Sequence, residues 1–219
     1  MIGKTAIITG ATGLIGSHLV RTLLQDVAYE KIIAISRRPL DLDSHKLEQV
    51  ITDFKNEEWV HAFTGHDYFC CLGTTMAKAG SKEAFKHTDH DLIVRCFEAA
   101  MGKASTVCLV SSMGADTRSL VYYNHIKGLT EAALKQLNFP RAFVLRPSLL
   151  IGERTEKRTM EYIAQKTAGI WDSLLQGPLK KYQSIGADTV AKAMIILANS
   201  DRSQGFYIFE SDKIKDITK

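Results

Sequence analysis

The sequence predicts an α/β fold, one domain built on a doubly wound parallel sheet of about seven strands with helices on both faces. Three observations predict it. Apolar runs of strand length alternate with amphipathic helical stretches along the chain. Strand runs such as Ala6-Ile7-Ile8 and Thr106 to Val110 are apolar on both faces, as strands covered by helices on each side must be. The 219 residues are 45% hydrophobic and 24% charged, and no repeat, low-complexity stretch or Pro/Gly/Ser linker divides them. Such a chain buries one generous core, which excludes a disordered or fibrous protein.

The first strand is Thr5 to Thr9, and Leu14 to Gln25 follows as a helix with apolar residues at 14, 15, 19, 20, 23 and 24. Further strands are expected at Lys31 to Ile35, Gln49 to Thr52, Tyr68 to Leu72, Thr106 to Ser111, Arg141 to Leu145 and Phe206 to Phe209. Helical patterns lie at Glu57 to Phe63, Lys82 to Met101, Tyr123 to Leu137 and Ala187 to Asn199. The apolar runs fall far short of the roughly 18 residues a bilayer span needs, so no membrane partner is expected. Met1-Ile2-Gly3-Lys4 enters a strand at once and does not resemble a signal peptide, so a cytoplasmic protein is expected. The net charge of +4 is spread without a basic run, and nucleic acid is not expected as a partner.

Cys70, Cys71, Cys96 and Cys108 lack C-x-x-C spacing and are read as reduced, buried thiols, with no metal site. His87 and His90 form H-x-x-H. Asp89 and Asp91 flank His90, which marks a solvated helix surface rather than a metal ligand pair.

The first strand runs into Thr9-Gly10-Ala11-Thr12-Gly13-Leu14-Ile15-Gly16, and the first helix begins there. Glycine lets a backbone turn this tightly and approach a pyrophosphate, whose charge then faces the free N–H groups of the helix start. The spacing is G-x-x-G-x-x-G, which differs from the G-x-G-x-x-G dinucleotide fingerprint and resembles the short-chain dehydrogenase/reductase variant. The second strand ends in Ser36-Arg37-Arg38, where an NAD site would carry an acidic residue. Two guanidinium groups suit a 2′-phosphate, so NADP(H) is the expected cofactor; a solvated loop pair is the alternative. Asp53, after the third strand, is placed either to accept from the adenine amino group or to cap the next helix.

In a doubly wound sheet ligands sit at the carboxyl ends of the strands. Gly73-Thr74-Thr75, Ser111-Ser112 and Arg146-Pro147-Ser148 stand there. Tyr123 and Lys127 then lie at i and i+4 on one helix face. An ammonium beside a phenol favours the phenolate and makes tyrosine a usable acid or base. Tyr162 and Lys166 repeat the spacing, but Tyr123 directly follows the serine-ended fifth strand, and position decides for Tyr123. Ser111 and Ser112 both end that strand.

Gly10 to Gly16, Ser36-Arg37-Arg38, Gly65-His66-Asp67, Cys70-Cys71-Leu72-Gly73-Thr74-Thr75, Lys78-Ala79-Gly80, Ser111 to Asp116, Tyr123 to Gly128 and Leu145-Arg146-Pro147 together resemble one group. It is the atypical short-chain dehydrogenase/reductases close to the Tat-interacting oxidoreductase group and its small bacterial relatives. The likeness runs from about residue 4 to about residue 210, and Cys-Cys-Leu-Gly-Thr-Thr is its most specific part. It implies a single NAD(P)-binding Rossmann domain over 1–219, with 152–186 as a small substrate-side insertion. It further implies that Thr12, Gly13, Leu14 and Ile15 surround the pyrophosphate and that Leu72, Gly73 and Thr74 lie along the cofactor. By the same likeness Ser112 is the catalytic serine, Tyr123 the proton donor and Lys127 the partner of the nicotinamide ribose, while Leu150 and Arg158 touch the cofactor. Two departures stand out: Ser148 replaces the glycine many relatives carry, which would narrow the nicotinamide loop, and only 11 residues separate Ser112 from Tyr123.

The expected function is NADP(H)-dependent hydride transfer between nicotinamide and a small carbonyl or alcohol substrate. An NADPH-binding regulator with little turnover is the alternative. A sugar-nucleotide epimerase is disfavoured, because only Gly152 to Gly186 is available as a substrate region; Ile170, Trp171, Leu174 and Leu175 there suggest an apolar wall or a packed helix. An oligomer or a partner protein is left open.

Overall fold

Seven strands form one all-parallel sheet in the computed structural model, which describes residues 3–151 and 177–219. β1 (Lys4–Thr9) leads through the glycine turn to α1 (Leu14–Gln25), β2 (Tyr29–Ser36) and β3 (Leu47–Ile51). After a short 3-10 turn (Glu58–Ala62) come β4 (Asp67–Cys70), α2 (Met76–Ala79), α3 (Lys82–Lys86), a π-helical turn (His87–Asp91) and α4 (Leu92–Ala100). β5 (Thr106–Val110), α5 (Tyr122–Gln136), β6 (Arg141–Arg146) and β7 (Leu150–Ile151) follow. The remaining elements are a 3-10 turn (Gly177–Tyr182), β8 (Ile185–Gly186), α6 (Ala187–Ala198), β9 (Gly205–Glu210) and α7 (Ser211–Ile217). The order is β3-β2-β1-β4-β5-β6-β9. The connection reverses between β1 and β4, and a crevice for a ligand opens at the carboxyl ends of strands at such a point.

Alternation along the strands builds the two cores. Ala6, Ile8, Phe69, Cys108 and Phe143 pack on one face with Leu19 and Leu23 of α1 and Met194 of α6. Ile7, Tyr68, Cys70, Val107 and Val144 pack on the other with Trp59, Phe97 of α4 and Leu134 of α5. Neighbours in sequence thus serve opposite cores, which is why these strands carry no polar face. Each large side chain so buried contributes about 1.5–3 kcal/mol.

Some elements differ from the sequence expectation. The helix expected over Lys82 to Met101 is interrupted by the π turn at His87–Asp91, which accommodates an extra residue and turns Asp89 inward. Glu57 to Phe63 holds only the 3-10 turn. The pair β7 and β8 and the helix α7 carry too few residues to show a period. All four cysteines are free, and burial pushes each thiol above its ordinary range. They are therefore poor nucleophiles.

Candidate active site

The glycine turn is shaped by contacts that admit no side chain. Gly10 has φ of +78°, and a Cβ there would lie 2.4 Å from the Cys71 carbonyl group. A Cβ on Gly16 would lie 2.2 Å from the Gly10 carbonyl oxygen. These two glycines press the start of α1 onto the ends of β1 and β4. Thr12 and Gly13 remain exposed, Leu14 is half-buried, and Ile15 is buried in the core. No side chain caps the first turn of α1, whose leading N–H groups are left for an anion to satisfy. The turn fits a pyrophosphate.

At the end of β2 the buried Ser36 donates its hydroxyl to the Arg38 carbonyl at 2.7 Å, which folds the chain back and leaves Arg37 and Arg38 exposed. Asp53 is exposed, accepts from the Lys55 N–H at 2.9 Å and is held below the usual carboxylate range by that bond. It closes a local turn beside Phe54, whose φ is +64°, and caps no helix. The capping alternative is thereby corrected: the next helical residues begin only at Glu58.

The carboxyl ends of β4 and β5 carry a buried ionic cluster. Lys127, on α5, is 5% exposed and its Nζ lies 2.7 Å from Oδ1 of the fully buried Asp89. The other oxygen of Asp89 accepts from the Thr74 N–H at 2.8 Å. Burial opposes the charge of Lys127. The Asp89 carboxylate and the nearby Tyr123 phenol outweigh that, so its pKa is raised. A Cβ on Gly73 would lie 3.3 Å from Asp89 Oδ1 and 3.4 Å from Lys127 Nζ, so the backbone of Gly73 packs directly over the pair. Leu72 and Thr74 on either side are half-buried. The Tyr123 ring rests on the buried Phe85 with centroids 5.3 Å apart, and the Tyr122 ring lies 6.3 Å from the same phenylalanine while its hydroxyl donates to the Lys82 carbonyl.

Asp89 was not distinguished from a surface residue by its sequence, and the expected solvated H-x-x-H surface is corrected accordingly. The π turn buries Asp89 and half-buries His90, whose ring nitrogen lies 3.3 Å from the Thr130 hydroxyl and whose pKa burial lowers. Only His87 of the pair is exposed.

The two serines separate cleanly. Ser111 donates its hydroxyl to Glu131, which Arg146 clamps. Ser112 Oγ is buried with no hydrogen-bond partner among the described residues. The loop carrying Ser112 folds back on α5, where Asp116 N–H donates to the Asn124 carbonyl next to Tyr123. Ser148 donates to the Gln183 carbonyl and lies 2.9 Å from the Ser211 hydroxyl, so its side chain tethers the loop to the C-terminal elements. Leu150 pairs with Ile185 and packs on the first core. Arg158, Tyr162, Lys166, Ile170, Trp171, Leu174 and Leu175 lie outside the described residues, as does most of the insertion at 152–186.

A family model described as NAD(P)H-binding matches residues 10–169, from the glycine turn through the cluster just described. The chain belongs to this NAD(P)H-binding family. Protein HTATIP2 of Rattus norvegicus is 34% identical over 226 residues, covering 100% of this chain and 91% of its own length. The mitochondrial protein FMP52 of Candida albicans is 36% identical over 201 residues, covering 87% and 86%. Among solved structures, MoeE5 in complex with UDP-glucose and NAD superposes with a TM-score of 0.71 at 19% identity, over 94% of this chain and 76% of that one. That last likeness shows a shared Rossmann-type fold. The FMP52 relatives in Debaryomyces hansenii, Candida albicans and Eremothecium gossypii are named mitochondrial, which overturns the cytoplasmic expectation. No described helix is long and apolar enough to cross a membrane.

Proposed function

We propose that the chain is an NADP(H)-dependent oxidoreductase acting on a small carbonyl or alcohol substrate, with Tyr123 as proton donor. The observation that carries this reading is the placement of Tyr123 one turn before the buried Lys127 on α5, close by the loop of the Ser112 hydroxyl, which has no partner among the described residues. When bound, the nicotinamide supplies or accepts the hydride. The amides at Thr12, Gly13, Leu14 and Ile15 and the backs of Gly10 and Gly16 form the pyrophosphate cradle. Arg37 and Arg38 receive the 2′-phosphate, Asp53 accepts from the adenine amino group, and Leu72, Gly73 and Thr74 line the path to the reactive end. Leu150 and Arg158 complete the cofactor contacts. Ser112 donates a hydrogen bond that polarises the carbonyl, and Tyr123 transfers its proton to that oxygen. Lys127 steadies the resulting phenolate and binds the ribose.

Replacing Tyr123 by Phe keeps the ring on Phe85 and removes the transferable proton. Carbonyl reduction falls about a hundredfold or more while NADPH affinity changes by less than about twofold. Full activity in Tyr123→Phe overturns the assignment.

A second reading has its own support. The ammonium of Lys127 is matched by a buried carboxylate, so the positive field at Tyr123 is weaker than an unpaired lysine would give. An NADPH-binding regulator that presents a surface to a partner protein would tolerate that. Wild-type protein that binds NADPH yet reduces no aldehyde, ketone or quinone in a broad panel favours this second reading.

A further inference from the structure

We propose that Glu131 is a positioning residue that aims the Ser112 hydroxyl, acting through Ser111 and Arg146; the inference rests on the reading above, in which Ser112 polarises the carbonyl. Glu131 lies on α5 one turn beyond Lys127 and two beyond Tyr123, on the same face. It is only 4% exposed. A carboxylate there is costly unless it is paired, and Arg146 pairs it at two points, Nε 3.0 Å from Oε1 and Nη2 2.6 Å from Oε2. The remaining guanidinium nitrogen reaches Glu210 at 3.3 Å. The Ser111 hydroxyl then donates to Glu131.

This relay joins the same two segments that the backbone joins. Ser111 N–H donates to the Leu145 carbonyl at 2.8 Å and Met113 N–H to the Pro147 carbonyl at 3.2 Å. The main chain on both sides of Ser112 is thus sewn to the residues on both sides of Arg146. Ser111 and Arg146 find partners in the relay, and the Ser112 hydroxyl is left without one among the described residues. Buried ion pairs seldom stabilise a fold more than apolar packing of the same volume would, so the geometry they impose is the better account of this one.

The test combines variants at three positions with NADPH and phenanthrenequinone as the probe substrate. Ser111→Ala removes one hydroxyl and leaves the Glu131–Arg146 pair intact; Glu131→Gln breaks the charge clamp. Each slows hydride transfer about tenfold with NADPH affinity unchanged, and Ser111→Thr restores the rate. In a Ser112→Ala background, neither Ser111→Ala nor Glu131→Gln slows the reaction further. A general structural defect would instead lower the rate by the same factor in both backgrounds, and that result overturns the inference alone. A Ser112→Ala protein as fast as wild type overturns the reading on which it rests. A readout independent of turnover is the Ser112 side-chain rotamer in crystals of Ser111→Ala: a changed or split rotamer supports the relay, and an unchanged one overturns it.

Discussion

Arg37 and Arg38 follow a strand whose last residue is buried, and the turn that Ser36 closes leaves both guanidinium groups in solvent with no ion pair among the described residues. A charge-assisted bond to a 2′-phosphate is worth about 1.5–3 kcal/mol, so alanine at both positions weakens NADPH about tenfold or more and leaves NADH nearly unchanged. Titration of the fluorescence of each nucleotide checks this, and equal losses for both would sink the assignment. The arginines and the glycine turn were legible because their chemistry needs particular residue types at fixed spacing. Asp89 was not, since beside His90 it reads as a helix-surface acid, and nothing in the sequence singles out Glu131. Their importance comes from burial, which a π turn produces for the first and the Arg146 guanidinium at the end of β6 compensates for the second. Neither cause has a local sequence signal.

The pair Asp89 and Lys127 joins three elements: the π turn before α4, the helix α5 and, through the Thr74 amide, the loop after β4. Removing one partner leaves an uncompensated buried charge, so Lys127→Met and Asp89→Leu each destabilise the fold by about 3–5 kcal/mol. The double variant recovers most of that loss, because no charge is then left unmatched. Urea unfolding of the four proteins measures the coupling, and single-variant losses that simply add would show that the pair is not a unit. Turnover follows a different pattern: under the proposed mechanism it stays low in the double variant, since Tyr123 still lacks the ammonium. The amphipathic period revealed that a helix lay over this region. The break in it at His87–Asp91 was hidden, because a π turn shifts the apolar stripe by one residue without any glycine or proline to mark it.

Across the whole molecule, the alternation of apolar strands and helices was readable because each strand must feed two cores at once. The short β7–β8 pair and α7 follow from tertiary contacts, such as the tether from Ser148 to Ser211, and left no periodic trace. The sheet order divides the domain at the β1–β4 boundary. The proposed adenosine side lies on β1, β2 and β3, and the proposed reactive side on β4, β5 and β6. A dinucleotide lying across that boundary must touch both halves, whereas an adenosine bisphosphate bearing the 2′-phosphate can touch only one. Saturating NADPH therefore slows amide hydrogen exchange at the start of α1 and also at residues 72–75 and 111–113. The bisphosphate, at a concentration giving the same occupancy, slows exchange at the start of α1 and after β2 alone. Ligand binding at about 100 times Kd stabilises the native state by about 2.7 kcal/mol in either case, so equal thermal shifts with unequal exchange maps are the expected result. Protection confined to the β1 side with both ligands would mean that the nicotinamide does not reach Gly73 and Ser112, and the placement of the reactive end at β4 and β5 would fall.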